Sequence, residues 1–514
     1  MKKLMMLMIG IASLLYLAGC IEPDYTEDVQ ALGLEIEALI PETINSNFIL
    51  PVEEAYEITY SMDSTVFTNE FIYESPVYDQ DKEFKFTISR GKTTQEFTKT
   101  VYVLSSESGE NETKLYLDLP ILESQISKED YTQANVRVET RTNGVYGITH
   151  ETTEAQLRGR GNSTWFSYPK RPYRLRFDKN TSILGMPEAK NYVLLAEFAD
   201  RSLMRNVVVQ KMASLFTDKI YDLETRYVEL YINNEYRGLY VLTEQVETHK
   251  NKLSIESIPG EINTGYFMEL DMRLRDQPID PGHFWFIARG YPYEIKEPDP
   301  EDPLYLDAQT AYLADYLSVL DQTLMDHSDY EDYMDVDAWV DYFIIQEFVK
   351  NVDIGFSSVF LYKEKDGVIK PGPLWDFDFA LGNADYIDYG PENWYGMLEY
   401  KNRMFKLMMA IPEIRLKFRD RYMDFHYDVL PEIQEMIGVL SDSISSNVDA
   451  NFTMWPILND YWWPTPNEVL AQPSFLGQIN YLQSYIELRS AWIYDEVLSE
   501  RYSTGDFSIV IEED

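Results

Sequence analysis

Two adjacent segments set the architecture expected for this chain: LRGRGNSTW at residues 157–165 and PKRPYRLRF at residues 169–177. The first places two glycines and two arginines in a turn, where glycine lets the backbone approach an anion closely and arginine offers forked donors to phosphate. The second alternates apolar and basic residues, which predicts a strand with one apolar and one basic face. Phosphate binding and a plain turn are both compatible with the first segment. Its candidate phosphate contacts are Arg158, Arg160, Gly161 and Asn162.

Composition excludes several classes of protein. The 514 residues exceed one compact core and predict two or three domains. The net charge of −43 repels a phosphate backbone, so nucleic acid is not an expected partner. The acidic residues do not form a DxDxDG calcium loop, and one cysteine with five histidines offers neither an internal disulfide nor a CxxC or HExxH zinc motif.

The N-terminus has the features of an exported lipoprotein. Lys2 and Lys3 precede an apolar run over residues 4–18, which is shorter than a membrane-spanning helix and suits a signal peptide. The run ends in LAGC at residues 17–20, which resembles a bacterial lipobox. We therefore expect a signal peptide over 1–20, lipidation at Cys20 and attachment to the extracytoplasmic face of a bacterial membrane. An uncleaved N-terminal anchor is the alternative, and it places the protein at the same surface.

The pattern along the chain predicts an ordered set of domains. Residues 21–33 are polar and acidic, as in a tether, and period-two strands follow over 34–104, as in a small all-β, immunoglobulin-like sandwich. Residues 105–113 are the predicted linker. Residues 114–502 mix strands and helices and predict an α+β domain, and residues 503–514 form an acidic tail.

A second group of candidate catalytic or metal-binding residues lies further along the chain. Asp353 follows a predicted helix, and Asp376 and Asp378 lie 23 and 25 residues later, after two predicted strands. A carboxylate on a loop, with another at a strand end, suits a base beside a metal-binding acid. The alternative is that Asp376 or Asp378 caps a turn or accepts backbone hydrogen bonds.

These segments together resemble the spore coat protein H (CotH) kinase family over roughly residues 119–498. The motifs that carry the resemblance, in chain order, are RGRGNSTW, KRPYRLRF, LLA at 194–196, DRSLMRN at 200–206, GLYVLTEQ at 238–245, GYFMELD at 265–271 and GPLWDFD at 372–378. The ordered series is far more specific than any single motif. The predicted N-terminal sandwich lies outside it.

The resemblance implies an atypical protein-kinase-like domain with a β-rich lobe and a helical lobe that close on ATP and Mg²⁺ or Mn²⁺. It implies transfer of the γ-phosphate to Ser or Thr of a protein substrate. Asp353 takes the place of the catalytic-loop aspartate and Asp376 that of the metal-holding aspartate. Lys170 or Arg174 supplies the cation that pairs with the phosphates, and strand alternation does not decide between them.

The chain departs from the protein-kinase pattern at three points. Ser358 stands where an Asn binds the second metal, so Asp378 is the alternative ligand there. Asn351-Val352 replaces the His-Arg pair before the catalytic Asp. The helix at 202–216 offers no glutamate to pair with a basic strand residue, which leaves Glu244 or Glu229 for that role.

Two other functions fit parts of the sequence. A catalytically weak or inactive kinase-like scaffold, acting as a surface adhesin or binding lipoprotein, fits the lipid anchor, the sandwich and Ser358. Glycoside hydrolysis by paired carboxylates fits an acidic, aromatic-rich secreted protein but leaves the basic strand without a purpose.

Overall fold

The structure, a computed structural model, describes residues 25–44, 47–53, 55–62, 65–73, 80–103, 113–139, 152–398 and 401–499. These residues form two compact units, one ending at residue 103 and one beginning at residue 113. Cys20, the predicted signal peptide and the predicted acidic tail lie outside the described residues, as does the predicted linker up to residue 112. In the part of the chain that is described, no helix is long and apolar enough to cross a membrane.

The N-terminal unit combines a helix with β-sheets. Its elements are α1 Thr26–Leu39, β1 Thr43–Ile44, β2 Phe48–Ile49, β3 Glu57–Met62, β4 Thr65–Phe67, β5 Glu70–Phe71, β6 Gln80–Arg90 and β7 Thr93–Val103. One sheet has the order β1-β7-β6-β3-β4, and β2 pairs with β5. Val29 and Ile36 of α1 share a core with Phe84 and Phe86 of β6.

This unit differs from the sequence-based expectation. Residues 26–33 of the predicted tether are helical, and the unit is β-rich but not the all-β, immunoglobulin-like sandwich expected over 34–104, since α1 packs on the sheet. Val29, Gly33 and Ile36 of α1 are buried at spacings of four and three, which is the period of one helix face. The acidic residues between them made this period hard to recognise in the sequence. The long strands β6 and β7 do coincide with the predicted alternating runs.

The C-terminal unit is mixed α+β, as predicted. Its strands are β8 Lys114–Asp118, β9 Thr132–Glu139, β10 Thr153–Gly159, β11 Tyr173–Thr181, β12 Ala189–Leu195, β13 Thr225–Ile232, β14 Glu235–Glu244, β15 Tyr266–Leu270, β16 Trp285–Ala288, β17 Tyr291–Glu297, β18 Val359–Lys363 and β19 Ile369–Pro371. Strands β8 to β14 close into a barrel in the order β10-β11-β12-β14-β13-β8-β9, and the others form a sheet in the order β16-β17-β15-β18-β19. Tyr173, Leu175 and Phe177 point into the barrel core, which confirms the predicted apolar face of β11.

Helices follow and flank these sheets. They are α2 Ser163–Ser167, α3 Arg205–Phe216, α4 Asp307–Asp326, α5 Val336–Phe348, α6 Arg403–Ala410, α7 Pro412–Asp424, α8 Leu430–Met454, α9 Asn467–Leu470 and α10 Phe475–Leu498, with a π-helical turn at Phe425–Val429 and 3₁₀ turns at Glu123–Gln125, Met272–Asp276 and Tyr330–Asp332. The buried Asp200 carboxylate accepts from the backbone amides of Ser202, Met204 and Arg205 and so caps the start of α3. Asp335 caps α5 in the same way.

Candidate functional site

A cleft of about 600 Å³ lies in the C-terminal unit. It is lined by the turn after β10, the end of β12, strands β15 and β17, and the loops before β18 and after β19. Asp353, Asp376 and Asp378 all line it, so the structure brings together the three aspartates that the sequence singled out. Arg160, Asn162 and Arg174 line the same cleft.

Asp353 lies in a tight loop after α5. Its amide donates to Asn351 Oδ1 over 3.0 Å, and its carbonyl oxygen accepts from the amide of Phe356 over 2.8 Å. Burial and the nearby Asp376 raise the pKa of Asp353 to about 7, while Arg273 acts in the opposite direction. A carboxylate with a pKa near neutrality can exchange a proton with a hydroxyl in the cleft.

Asp376 lies just after β19 and is held from two sides. Ser358 Oγ donates to Asp376 Oδ2 over 3.2 Å, and the amide of Ser358 donates to Glu269 Oε1 over 3.2 Å. The next amide, that of Phe377, donates to Asn206 Oδ1 of α3 over 2.8 Å. The orientation of Asp376 therefore depends on both the β18–β19 hairpin and α3.

Asp353, Asp376 and Asp378, which we call the aspartate wall, are close enough to disfavour the ionisation of all three carboxyl groups. Burial raises the pKa of Asp378 well above its usual range, and Asp376, Glu197 and Asp353 add to that rise. Close, buried carboxylates are stabilised as anions by a bound cation.

Arg160 provides positive charge opposite these acids. It follows β10, and the next residue, Gly161, has a φ of +79°, a conformation that favours glycine. The Arg160 guanidinium lies 5.1 Å from the centre of the Trp375 ring. Burial lowers its pKa, and the charges of Asp376 and Asp378 raise it.

Two predicted site residues have other surroundings. Arg158 lies over the Tyr131 ring and does not line the cleft. Glu244 also lies outside the cleft lining, where it accepts from Tyr221 and from the amide of Glu224 and faces Lys252 at 3.6 Å. Neither side chain is therefore placed at the cleft, where the sequence put both.

The two candidate phosphate-pairing cations, Lys170 and Arg174, both line the cleft but differ in what they contact. Lys170 is 2% exposed, and its ammonium donates to Leu239 O over 2.5 Å and to Asn451 Oδ1 over 3.0 Å, so the lysine ties the barrel to α8. Burial lowers the pKa of Lys170 to about 7. Arg174 is half-buried and lies 4.0 Å from Glu247, another residue of the cleft. Arg174 therefore has a longer contact than either of those that Lys170 makes, and its N–H groups are more available to a ligand in the cleft.

A lysine–glutamate pair in the cleft was missed from the sequence. Lys296 Nζ lies 3.0 Å from Glu269 Oε2, and both residues line the cleft. They belong to the neighbouring strands β17 and β15. Glu269 stands in the GYFMELD motif, but its partner depends on strand pairing that local spacing does not reveal.

Glu197 is the second missed residue. It is 5% exposed and has a φ of +48°; Oε1 accepts from Asn206 Nδ2 over 3.0 Å, and Oε2 has no hydrogen-bond partner among the described residues. Burial, with Asp200 adding to it, raises the pKa of Glu197 to about 8. A glutamate inside the apolar run LLAEFA at 194–199 was the available signal.

The described residues do not bring three or more His, Cys, Asp or Glu side chains into a cluster that could hold a metal ion by itself. Any cation in the cleft would therefore have to complete its coordination with water or with a ligand.

Comparisons with known proteins agree with the motif series. A search of curated proteins found no match to the chain. The family model described as CotH kinase protein matches residues 157–493, which is more than half of the chain and includes every residue of the aspartate wall. The chain therefore belongs to the CotH kinase family.

Proposed function

We propose that this protein is an atypical protein kinase that transfers the γ-phosphate of ATP to Ser or Thr of a surface or secreted protein. The barrel forms the β-rich lobe of a two-lobed, kinase-like domain, and the second sheet with the helices forms the other lobe. The observation that carries the proposal is the meeting of Asp353, Asp376 and Asp378 with Arg160 and Arg174 in one cleft. Phosphoryl transfer needs this combination of positioning and charge neutralisation.

The aspartates fit a divalent cation that arrives with phosphate. Mg²⁺ usually keeps several waters and takes one or two carboxylates plus phosphate oxygens, so Asp376 and Asp378 suffice as protein ligands. The raised pKa of Asp378 fits a side chain that loses its proton when a cation binds. Bound Mg²⁺ or Mn²⁺ would neutralise charge on the β- and γ-phosphates.

The protein side chains then have separate tasks. Asp353 orients the acceptor hydroxyl and accepts its proton, while Arg160 and Arg174 donate to phosphate oxygens. Glu269 fixes the position of Lys296 in the same cleft. Ser358 positions Asp376 through its hydroxyl.

The proposed cellular place follows from the N-terminal sequence. We propose that Cys20 carries a lipid and holds the protein on the extracytoplasmic face of a bacterial membrane, within reach of surface or secreted acceptors. Growth with a radiolabelled fatty acid tests this, because label should enter the wild-type protein and not Cys20→Ser.

The thermal midpoint of the purified full-length protein tests nucleotide binding. ATP with Mg²⁺ or Mn²⁺ at a hundred times its dissociation constant should stabilise the protein by about 2.7 kcal/mol. Asp376→Ala should lose the shift, and Asp353→Asn should keep it while losing phosphate transfer to a protein acceptor. No shift with either metal would contradict the proposal.

The scaffold function is the second candidate, and two observations favour it. Ser358 stands at the position of the second metal ligand, and the Lys170 ammonium already contacts Leu239 and Asn451. A protein that binds its surface partner equally well with Asp353→Asn and Asp376→Asn, without phosphate transfer, would support the scaffold.

A further inference from the structure

A second cavity, of about 550 Å³, lies beside the cleft and carries positive charge. Arg275, Arg289 and Arg403 line it; we call it the arginine cavity. The chain as a whole has a net charge of −43, so three guanidinium groups around one cavity are a local concentration of positive charge. Such a concentration attracts anions that the rest of the acidic surface repels.

Two of the three arginines, Arg275 and Arg289, are exposed to solvent. Asp321 lies 2.8 Å from Arg403 Nε and 3.5 Å from Arg289 Nε, so one carboxylate faces two of the three cations. Arg275 is exposed and donates to the uncharged carbonyl of Gly290. Among the described residues, no carboxylate lies within ion-pair distance of Arg275. Arg289 is also exposed, with 42% of its side chain accessible.

The arginine cavity shares a loop with the cleft. Residues 353–357 contribute Asp353 and Phe356 to the cleft and Gly355 to the arginine cavity. Met272, which begins the 3₁₀ turn that carries Arg275, donates its amide to Phe356 O over 2.7 Å. The Cα atoms of Asp353 and Gly355 are at most about 7.6 Å apart, because consecutive Cα atoms are 3.8 Å apart.

We propose that the arginine cavity binds an acidic side chain of the protein acceptor, about two to four residues from the Ser or Thr that lies at Asp353. An extended peptide advances about 3.3 Å per residue, so this spacing bridges the two sites. Arginine forks bind carboxylates and phosphates alike, so an Asp, a Glu or an already phosphorylated Ser fits the cavity. This inference rests on the proposed kinase function for the identity of the acceptor.

Peptide binding without nucleotide tests the cavity. Four fluorescent peptides share one central Ser and differ at the positions two to four residues away, which hold Glu, phosphoserine, Gln or Lys. We expect the Glu or phosphoserine peptide to bind the full-length protein about tenfold more tightly than the Gln peptide, by fluorescence anisotropy. The preference should shrink at 0.5 M salt. Comparing the Glu with the phosphoserine peptide distinguishes the two sources of the anion.

Matched variants assign the preference to these arginines. The double substitution Arg275→Gln with Arg289→Gln should remove the preference, and Arg275→Gln alone should weaken it about threefold. The single variant loses only a hydrogen bond at an exposed position, so it serves if the double variant does not fold. Arg419→Gln, in α7 beside Asp420, should leave the preference unchanged. Charge reversal with Arg275→Glu and Arg289→Glu should make the Lys peptide the tightest.

The outcomes separate this inference from the kinase proposal. Tighter binding of the acidic peptides without phosphate transfer would support the arginine cavity as a binding site and would count against the kinase proposal. Phosphate transfer with equal binding of all four peptides would contradict the proposed role of the arginine cavity and would leave the kinase proposal intact. Displacement of every peptide by millimolar inorganic phosphate, with no preference among them, would also overturn it.

Discussion

Ser358 Oγ donates to Asp376 Oδ2 over 3.2 Å and so joins the two loops that flank the β18–β19 hairpin. Both residues have positive φ, +60° for Ser358 and +72° for Asp376. For residues other than glycine this conformation costs on the order of 1 kcal/mol or more, so the surrounding contacts must hold it. Ser358, which the resemblance to protein kinases puts at the place of a metal-binding Asn, thus orients the Asp376 carboxylate.

Ser358→Asn should strengthen cation binding. Asn tolerates positive φ and its amide oxygen is a better ligand for Mg²⁺ than a serine hydroxyl, so the Mg²⁺ concentration needed for half of the ATP-induced thermal shift should fall. Ser358→Ala should raise that concentration about tenfold, as losses of supporting contacts around metals do. Equal Mg²⁺ dependence in all three proteins would show that position 358 does not influence the cation.

Glu197→Gln should stabilise the C-terminal unit at alkaline pH. The pKa of Glu197 is raised to about 8 by burial, so the folded state holds a proton that the unfolded state releases near pH 4.5. The stabilising contribution is complete below about pH 4.5 and is lost as pH rises to about 8. Gln keeps an acceptor for Asn206 and does not ionise, so its advantage over wild type should grow by about 4 kcal/mol between pH 4.5 and pH 8.

Urea unfolding followed by tryptophan fluorescence measures this effect. All nine tryptophans lie after residue 113, so the signal reports on the C-terminal unit alone. Glu188→Gln, at an exposed position of the same unit, is the control and should show no growing advantage. A difference between Glu197→Gln and wild type that stays constant from pH 5 to pH 8 would contradict the prediction.

Lys170→Met and Arg160→Met should separate support of the fold from nucleotide binding. Lys170→Met leaves the buried Leu239 carbonyl without its donor and should cost about 1–3 kcal/mol of stability. The ATP-induced thermal shift should persist, because the Lys170 ammonium, although it lines the cleft, already donates to Leu239 and Asn451. Arg160→Met should lose most of the shift, because Arg160 faces the aspartates. The reverse result would identify Lys170 as the phosphate-pairing cation.

The sequence predicted those features that are local or that follow a period. Tyr173, Leu175 and Phe177 alternate along β11, so their common face could be predicted from spacing. Asp353 and Asp376 were singled out because they follow predicted regular elements, and the family resemblance supplied their expected roles. The helix α1 was missed because its acidic residues resemble a tether.

Features that depend on distant pairing could not be predicted. Glu269 meets Lys296 only because β15 and β17 are neighbours in the sheet. Arg275 and Arg403 are 128 residues apart in sequence and meet in the arginine cavity through the tertiary fold. Glu244 was a candidate partner for a basic residue of the cleft, but the structure places it outside the cleft lining, against Tyr221 and Lys252.

Gly355→Ala should disable the loop that carries Asp353. A Cβ atom at Gly355 would lie 1.5 Å from the carbonyl oxygen of Lys401, which is backbone and cannot rotate away. The loop must therefore move, and a displacement of about 1 Å at a catalytic group can cost about a hundredfold in rate.

Phosphate transfer and the ATP-induced thermal shift should respond differently to Gly355→Ala. Transfer should fall about a hundredfold, whereas the shift should remain, because Asp376 and Asp378 lie on a different loop. Gly438→Ala in α8 is the matched control: a Cβ there meets nothing within 4 Å, and the change should stabilise the helix by about 0.5–1 kcal/mol. Unchanged transfer in Gly355→Ala would mean that the 353–357 loop relaxes without moving Asp353, and would remove the geometric argument for Asp353 as the base.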